Sequence, residues 1–470
     1  MKNDQLKELF GSLNKNEVKE FCKFIRSPFF NNRSEVVRYF DALKKFYPEF
    51  DPIKLNEEKI FKQVYPGKKF NGALMRKLLS LTTSLLVDFY AITASMENDL
   101  EYNVKLFEKL YAKKLFTVIE KKKKAVDELF SSSERSFPYY DAKYKYTTFI
   151  NGYFMNLSER SMLSSLQNEI DDFIEYFLSV SLLMYIRLGE WEKGFKKKYD
   201  LKFYNEVMKY LSLNSSGEVT LSTLYYNMLM LLETEDEKYF FKLQECREIF
   251  SDKLHFSDDY NIGVVSIQYC YKRIQKGDIE FRKHQFELTK NILKKDLIPK
   301  GFLDLYFFTN AVRTAVTIKE FIWSENFIKE YKSRLNSDVK NEVSEYSYAM
   351  LEFGKEDFSK SLSHLSRINP EASYIKMDIK NLFLMNYYEL GYTEELISLI
   401  DNYKHFLHRE KDMSEQIKKA NSAFVNLVAE LLKVRLKGKK GSAEELKKEI
   451  ENTPYFTAKE WLLKKINEIK

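Results

Sequence analysis

Helix-breaking residues are scarce in this 470-residue chain. It contains 14 glycines and 8 prolines, about 5% of its residues, where ordinary domains carry roughly 12%. So few breakers favour long helices. Four of the eight prolines lie within the first seventy residues, so we expect short helices there and longer ones afterwards; they are Pro28, Pro48, Pro52 and Pro66.

Cysteine and long apolar runs are also scarce. The three cysteines, Cys22, Cys246 and Cys270, are far apart and odd in number, which argues against a disulfide framework and a zinc site. The N-terminus shows no signal-peptide apolar region, and the apolar stretch from Phe173 is too short to span a bilayer and contains Glu175. We therefore expect reduced core cysteines in a cytoplasmic protein that does not enter a membrane.

Catalytic motifs are missing as well. The sequence has no nucleophile elbow, HExxH pair, EF-hand loop or dinucleotide fingerprint. The close histidine pair, His405 and His408, lies one helical turn apart near Glu410, but a metal site needs a third ligand that the sequence does not name. We predict a non-enzymatic protein with no catalytic residues, no metal and no cofactor.

Helical periodicity is what the sequence does contain. Residues 1–95 hold four amphipathic stretches, in which apolar residues recur every three or four positions. Each stretch starts beside a residue whose side chain can accept from first-turn amides, and these candidate N-caps are Asn16, Ser34, Asn56 and Asn71. The pattern predicts a compact N-terminal helical domain over residues 1–95.

Helix pairs then follow one another from residue 98. Tight turns recur every 35 to 45 residues, and their positions are Gly189, Thr234, Gly277, Lys319, Gly354 and Gly391. This period resembles the tetratricopeptide class of repeat, in which stacked helical hairpins bury one another. The predicted fold is all-α, with an N-terminal helical domain followed by a degenerate tetratricopeptide-like α-solenoid over residues 98–438.

Two capping boxes follow the helix stop predicted at Gly438. Ser442 with Glu445, and Thr457 with Glu460, can each satisfy two first-turn amides. They predict capping helices over residues 442–470, which would close the end of the repeat array.

Several longer segments resemble one family of bacterial proteins. The segments are "FCKFIRSPFFNN", "IFKQVYPGKKFNGALMRKLLS", "YYELGYTEELISLIDNYKHFL" and "KEWLLKKINEI". They are similar to a family of uncharacterised all-helical bacterial proteins, over nearly the whole chain. The resemblance implies a tetratricopeptide-like architecture and names no activity.

Two functions of different classes fit this organisation. The first is a protein-interaction scaffold or adaptor, because stacked hairpins present an extended surface to another protein or peptide segment. The second is a nucleic-acid-binding regulator with the repeats as effector or sensor module, because residues 1–150 hold 28 Lys and Arg against 20 Asp and Glu.

The nucleic-acid hypothesis depends on a helix-turn-helix-like segment around Pro66 and Gly67. Lys68 and Lys69 would contact phosphates, and the start of the second helix would face the major groove with Asn71, Ala73, Met75, Arg76 and Lys77. That helix is densely apolar, as a core helix is, so protein binding is the preferred hypothesis.

Two aromatic segments have competing interpretations. Phe29 and Phe30 in "SPFFN" would either hold the bend in the core or form a binding site. The first is favoured because Pro28 ends the preceding helix and the following polar residues can cap the next one; those residues are Asn31, Asn32 and Ser34. The aromatic residues between 137 and 156 have helical spacing, which favours a core role over stacking on bases or on a peptide.

Overall fold

The computed structural model describes residues 4–50, 56–156, 159–195, 198–214, 218–298, 301, 303–369, 375–409, 415–437, 440–453 and 458–469. These residues form 23 α-helices, one 3₁₀ turn at Lys332–Arg334 and an isolated parallel β-bridge between Arg135 and Leu254. The predicted all-α class is confirmed. The chain divides into two compact units, residues 1–133 with 138–176 and residues 134–137 with 177–470.

Short helices open the first unit and longer ones follow. The helices are α1 (Asp4–Gly11), α2 (Lys15–Phe24), α3 (Ser34–Lys44), α4 (Glu57–Val64), α5 (Gly72–Glu97), α6 (Asp99–Ala112), α7 (Phe116–Ser132), α8 (Phe137–Met155) and the beginning of α9 (Glu159–Phe195). The first four have 8 to 11 residues, whereas α5 has 26 and α9 has 37. The predicted change in helix length is confirmed.

Two of the predicted N-caps are confirmed. The side chain of Asn56 accepts from the Lys59 amide at 3.0 Å, and that of Asn71 accepts from the Ala73 and Leu74 amides at 2.9 and 3.1 Å. Each bond satisfies an amide that has no partner within the helix. Both α4 and α5 therefore begin where the asparagines predict.

The other two N-caps in this unit were predicted wrongly. Helix α2 is capped by Asn14 instead of Asn16, because Asn14 and Glu17 form a reciprocal capping box that satisfies two amides. Helix α3 begins at Ser34 itself, and Arg33 before it makes no side-chain cap bond. A polar residue near a helix start thus did not identify the cap in either case.

Helices α1 to α5 share one apolar core. Its centre contains fully buried rings, with Phe21 and Phe40 edge to face at a centroid distance of 5.0 Å. Helices α6 to α8 share a second cluster, which includes Phe107, Phe130 and Tyr146. The domain boundary predicted at residue 95 stays a prediction.

Helix α5 has a strongly apolar composition. Within the described residues it is the one helix long and apolar enough to cross a membrane, with a mean hydropathy of 1.4 over 18 residues. Met75, Leu78, Leu86 and Phe89 of α5 belong to the core of the unit. A core helix has the same composition, so hydropathy alone does not place α5 in a membrane.

The second unit contains the end of α9 and fourteen further helices within the described residues. These are α10 (Tyr204–Asn214), α11 (Leu221–Thr234), α12 (Glu237–Ile249), α13 (Phe256–Gln275), α14 (Phe281–Lys294), α15 (Leu305–Thr317), α16 (Phe321–Tyr331), α17 (Ser337–Gly354), α18 (Phe358–Leu365), α19 (Lys376–Leu390), α20 (Thr393–Arg409), α21 (Glu415–Lys437), α22 (Lys440–Asn452) and α23 (Lys459–Glu468).

Consecutive helices of this unit pack in pairs. The pairs are α11 with α12, α13 with α14, α15 with α16, α17 with α18 and α19 with α20. The first helices of neighbouring pairs also touch, since α11 contacts α13, α15 contacts α17, and α17 contacts α19. Each pair is therefore covered by the next along the chain.

Left-handed residues end the first helix of each of these five pairs. The residues with positive φ are Glu235 (52°), Gly277 (101°), Lys319 (67°), Glu356 (65°) and Gly391 (75°), and such a residue stops an α-helix. The turns predicted near these positions are confirmed. The turn predicted at Gly189 is wrong, because α9 runs through it; an interior glycine costs only about 1 kcal/mol in a helix.

One of the two predicted C-terminal helix caps is wrong. Helix α22 begins at Lys440, so Ser442 lies inside the helix and does not precede it, contrary to the prediction. The second predicted cap, Thr457, and the predicted stop, Gly438, lie outside the described residues. The predicted limits of the capping segment stay predictions.

Candidate functional site

A surface groove crosses three helices of the second unit. It is lined by the second helices of three successive pairs, α12, α14 and α16, and has a volume of about 900 Å³. We call it the α12–α14–α16 groove. Its lining combines aromatic rings, side-chain amides and a few charged groups, and each set has a separate structural origin.

One side of α14 forms the middle of the groove. His284, Glu287, Leu288, Asn291 and Lys294 line it and recur every three or four residues, so they share one helix face. The opposite face is buried in the unit through Phe281, Gln285 and Ile292. The helical period thus separates a core face from a groove face.

Stacked aromatic rings on α16 form the floor. Trp323 and Phe327 are nearly parallel, at 9° and 5.0 Å between centroids, and Phe327 and Tyr331 follow at 21° and 5.0 Å. Phe286 of α14 meets Trp323 edge to face at 4.9 Å. Burial raises the pKa of the Tyr331 phenol, so its hydroxyl stays protonated. Phe327 is 3% exposed, so it supports the partly exposed Trp323 and Tyr331 rings, which offer the apolar surface.

Three side-chain amides line the same groove, one from each helix. They belong to Gln244 on α12, Asn291 on α14 and Asn326 on α16. Gln244 donates to the Ser266 hydroxyl at 2.8 Å, which orients the amide and leaves its oxygen available as an acceptor. Asn291 and Asn326 are exposed and have no side-chain partner among the described residues. An amide carries both donors and acceptors, so it matches the peptide groups of a bound chain.

The charges of the groove are balanced. Its lining has two lysines, Lys290 and Lys294, and two glutamates, Glu287 and Glu330. Lys290 and Glu287 form an ion pair at 2.8 Å. The groove therefore has no strong preference for a ligand of either charge.

A buried ion cluster fixes the helices behind the groove. Arg247 of α12 donates through Nε to Asp259 of α13 at 2.5 Å, and Lys295, directly after α14, donates to the other oxygen of Asp259 at 2.9 Å. The Arg247 and Asp259 side chains are 5% and 4% exposed. The cluster ties α12, α13 and the end of α14 together.

The residues of the nucleic-acid hypothesis lie in the first unit. Lys68, Lys69, Asn71, Arg76 and Lys77 are all exposed, in the turn between α4 and α5 and the first turns of α5. The structure thus brings them to one short segment. Ala73 beside them is exposed too.

Two features of this segment differ from a base-reading helix. Met75 is 4% exposed, so the prediction that it faces the major groove is wrong; its side chain belongs to the apolar core. The Asn71 side-chain oxygen already accepts from two amides of α5. What the segment presents is mainly positive charge.

The "SPFFN" turn is only half explained by a role in the core. Phe30 stacks on Phe24 with a centroid distance of 4.0 Å, but Phe29 is 87% exposed and contacts Phe30 edge to face. The prediction that both rings hold the bend in the core is therefore wrong for Phe29. Asn31 does not cap α3 either; its side chain donates to the Ile25 carbonyl at 2.8 Å.

The aromatic segment of α8 is a core element, as predicted. Tyr139, Tyr146 and Tyr153 are buried, and Tyr146 stacks on Phe130 at 5.0 Å. Burial is the main cause that raises the pKa of the Tyr146 phenol, and its hydrogen bond to Asp127 adds to the effect. The sequence pattern therefore predicts the aromatic cluster of α8. It does not predict the groove, whose lining residues are spread from Phe240 to Tyr331.

No protein-family model, curated protein or solved structure matches this chain.

Proposed function

We propose that this protein is a non-enzymatic adaptor that binds an extended segment of another protein in the α12–α14–α16 groove. The observation that supports it best is the combination of a stacked aromatic floor with one side-chain amide from each of three helices. Binding sites of proteins are typically apolar, with a few polar groups that fix the orientation of the ligand. The few residues that supply most of the binding energy at protein interfaces are enriched in Trp and Tyr.

The wider architecture that we propose is a degenerate tetratricopeptide-like α-solenoid. Its support is the series of five helix pairs, the left-handed residue that ends the first helix of each, and the contacts between neighbouring pairs. Stacked pairs place equivalent helices side by side. This arrangement explains why three second helices line one groove.

The dimensions of the groove favour a short extended segment. Neighbouring helices pack about 8–10 Å apart, so three of them cover about 16–20 Å. An extended chain rises about 3.3 Å per residue, so about five or six residues cross the groove. Alternate side chains of such a segment point the same way, so two or three apolar ones would meet the aromatic floor.

Peptide selection tests this proposal. A random seven-residue peptide library is selected against the full chain, and the affinity of an enriched peptide is measured by fluorescence anisotropy. Trp323→Ala removes the end of the ring stack, and we expect at least a tenfold loss of affinity, the size of a typical interface hot spot of roughly 1–2 kcal/mol or more. Ile322→Ala is the matched control, because Ile322 lies on the same helix, is 80% exposed and does not line the groove.

Either of two results would contradict the proposal. One is that no peptide family is enriched, and the other is that Trp323→Ala and Ile322→Ala bind the enriched peptide equally. Since Trp323→Ala removes packing as well, circular dichroism of both variants checks the fold. Asn326→Leu changes an exposed groove residue and gives a second readout that does not depend on the ring stack.

A further inference from the structure

The turn between α4 and α5 concentrates positive charge. From Lys59 to Val87 the sequence has no Asp or Glu, while it has six cations, Lys59, Lys62, Lys68, Lys69, Arg76 and Lys77. All six side chains are exposed. This is a local property of one surface and does not follow from the overall charge of the chain.

Some lysines elsewhere in the first unit are paired with carboxylates. Lys23 pairs with Glu20 at 2.8 Å, Lys105 with Glu101 at 2.7 Å, and Lys145 with Asp141 at 2.7 Å. By contrast, Lys68, Lys69, Arg76 and Lys77 have no carboxylate partner among the described residues. Cations without partners keep their full potential toward an anionic polymer.

Two further cations face this turn from α3 and the residue before it. The Arg38 guanidinium donates through Nε to the carbonyl of Val64, the last residue of α4, at 3.1 Å. Burial is the main cause that raises the pKa of the Tyr65 phenol, and the charge of Glu35 raises it further. The charges of Arg38 and Arg33 lower the same pKa, so both arginines lie close to this ring. Two further cations therefore border the turn, together with the carboxylate of Glu35.

Aromatic rings lie among these cations. Lys68 Nζ is 5.0 Å from the centre of the Tyr65 ring, and Phe70, 42% exposed, packs edge to face on Phe61 at 5.4 Å. At the start of α5 the Arg76 guanidinium and the Phe70 ring both border Gly72, since a Cβ there would lie 3.5 Å from Arg76 Nη1 and 4.0 Å from Phe70. Cations next to partly exposed rings are the pattern that binds single-stranded nucleic acid, because phosphates pair with the cations and bases stack on the rings.

We propose that the surface formed by Lys68, Lys69, Phe70, Arg76 and Lys77 binds single-stranded nucleic acid through its phosphate backbone. Phe70 favours this ligand over a lipid surface. Its ring packs against Phe61, so it can stack on a base but is not free to insert into a bilayer. The contacts carry little sequence information, since Met75 is buried and the Asn71 oxygen is occupied. The site is separate from the α12–α14–α16 groove and does not depend on the proposed function.

Anisotropy of a labelled 20-nucleotide single strand with the full chain tests this site. With about four phosphate contacts and a slope of roughly −0.7 per contact, affinity falls about 50-fold between 50 and 200 mM salt. The variant Lys68→Ala/Lys69→Ala/Lys77→Ala removes three of the contacts, so we expect at least a tenfold loss at 50 mM salt and a much shallower salt dependence. The matched control is Lys23→Ala/Lys105→Ala/Lys145→Ala, which removes the same three charges from ion-paired positions and keeps both properties.

Three outcomes would overturn the proposal. The first is that the strand does not bind at 50 mM salt. The second is that both triple variants lose affinity equally, which would indicate an effect of net charge alone. The third is that vesicles with anionic headgroups bind in a manner that depends on Lys68, Lys69 and Lys77 while the strand does not. Circular dichroism of both variants confirms that neither has lost its helices.

Discussion

Removing the Asp259 carboxylate should destabilise the second unit strongly. Asp259 is 4% exposed and accepts from Arg247, whose side chain is 5% exposed, so Asp259→Ala leaves a buried guanidinium without its counter-ion. One nitrogen of that guanidinium, Nη1, has no hydrogen-bond partner among the described residues, and the Nη2 bond to the Asp259 backbone carbonyl at 3.2 Å remains in the variant. Breaking a buried pair in this way typically costs about 3–5 kcal/mol. The Lys295 bond contributes less, because Lys295 is 34% exposed and its ammonium is readily hydrated.

Urea unfolding followed by tryptophan fluorescence measures this cost. All three tryptophans, Trp191, Trp323 and Trp461, belong to the second unit, so the signal reports that unit alone. We expect Arg247→Met/Asp259→Ala to recover most of the loss, because the double variant leaves no unpaired guanidinium in the interior. Comparison of the two single variants with the double variant gives the coupling free energy.

A surface ion pair on α12, the helix that carries Arg247, serves as the control. Lys242 and Glu245 of α12 are 46% and 59% exposed, and Glu245→Ala should cost roughly 1 kcal/mol or less. If Asp259→Ala costs no more than Glu245→Ala, the buried cluster does not hold α12, α13 and α14 together. The same result would remove the reason for a rigid groove.

Two more predictions concern the turn after α2 and the turn after α11. Phe29→Ala should change the free energy of unfolding of the chain, measured by circular dichroism in urea, by about 0.5 kcal/mol or less, because the ring is 87% exposed. Phe30→Ala should cost about 1 kcal/mol more, since it removes a stacked ring; equal effects would contradict the assignment. Hydrogen bonds from Lys272 and Lys276 lower the pKa of Glu235 from 4.5 to about 2. Its contribution to stability is then fully present above pH 4.5 and lost as the pH falls toward 2, and a pH series of unfolding free energies for Glu235→Gln should lack this loss.

Helix ends were predictable where a single residue determines them. Glycine accepts positive φ without strain, so Gly277 and Gly391 identified turns from the sequence alone, and Asn56 and Asn71 identified helix starts. The continuous α9 was not predictable at Gly189, because the small cost of an interior glycine is outweighed by packing along the helix. Local chemistry is informative only when no tertiary contact competes with it.

The groove could not be predicted because its lining is assembled by packing. Gln244, Asn291 and Asn326 are spread over more than eighty residues, and no motif relates them. The available signal was the set of polar residues on one face of α14, which recur with the helical period between His284 and Lys294. The sequence does not show which neighbouring helices border that face.

The affinity of a selected peptide for Asn291→Leu/Asn326→Leu measures how much the groove amides contribute to peptide binding. Both side chains are exposed, so the substitutions remove amides from the groove and leave the core intact. Asn402→Leu, at an exposed position of α20 outside the groove, is the control. Each lost hydrogen bond is worth about 0.5–1.5 kcal/mol, so we expect a loss of roughly tenfold or more for the groove variant and none for the control. Unchanged affinity in the groove variant would contradict the claim that the side-chain amides of this groove hold an extended peptide.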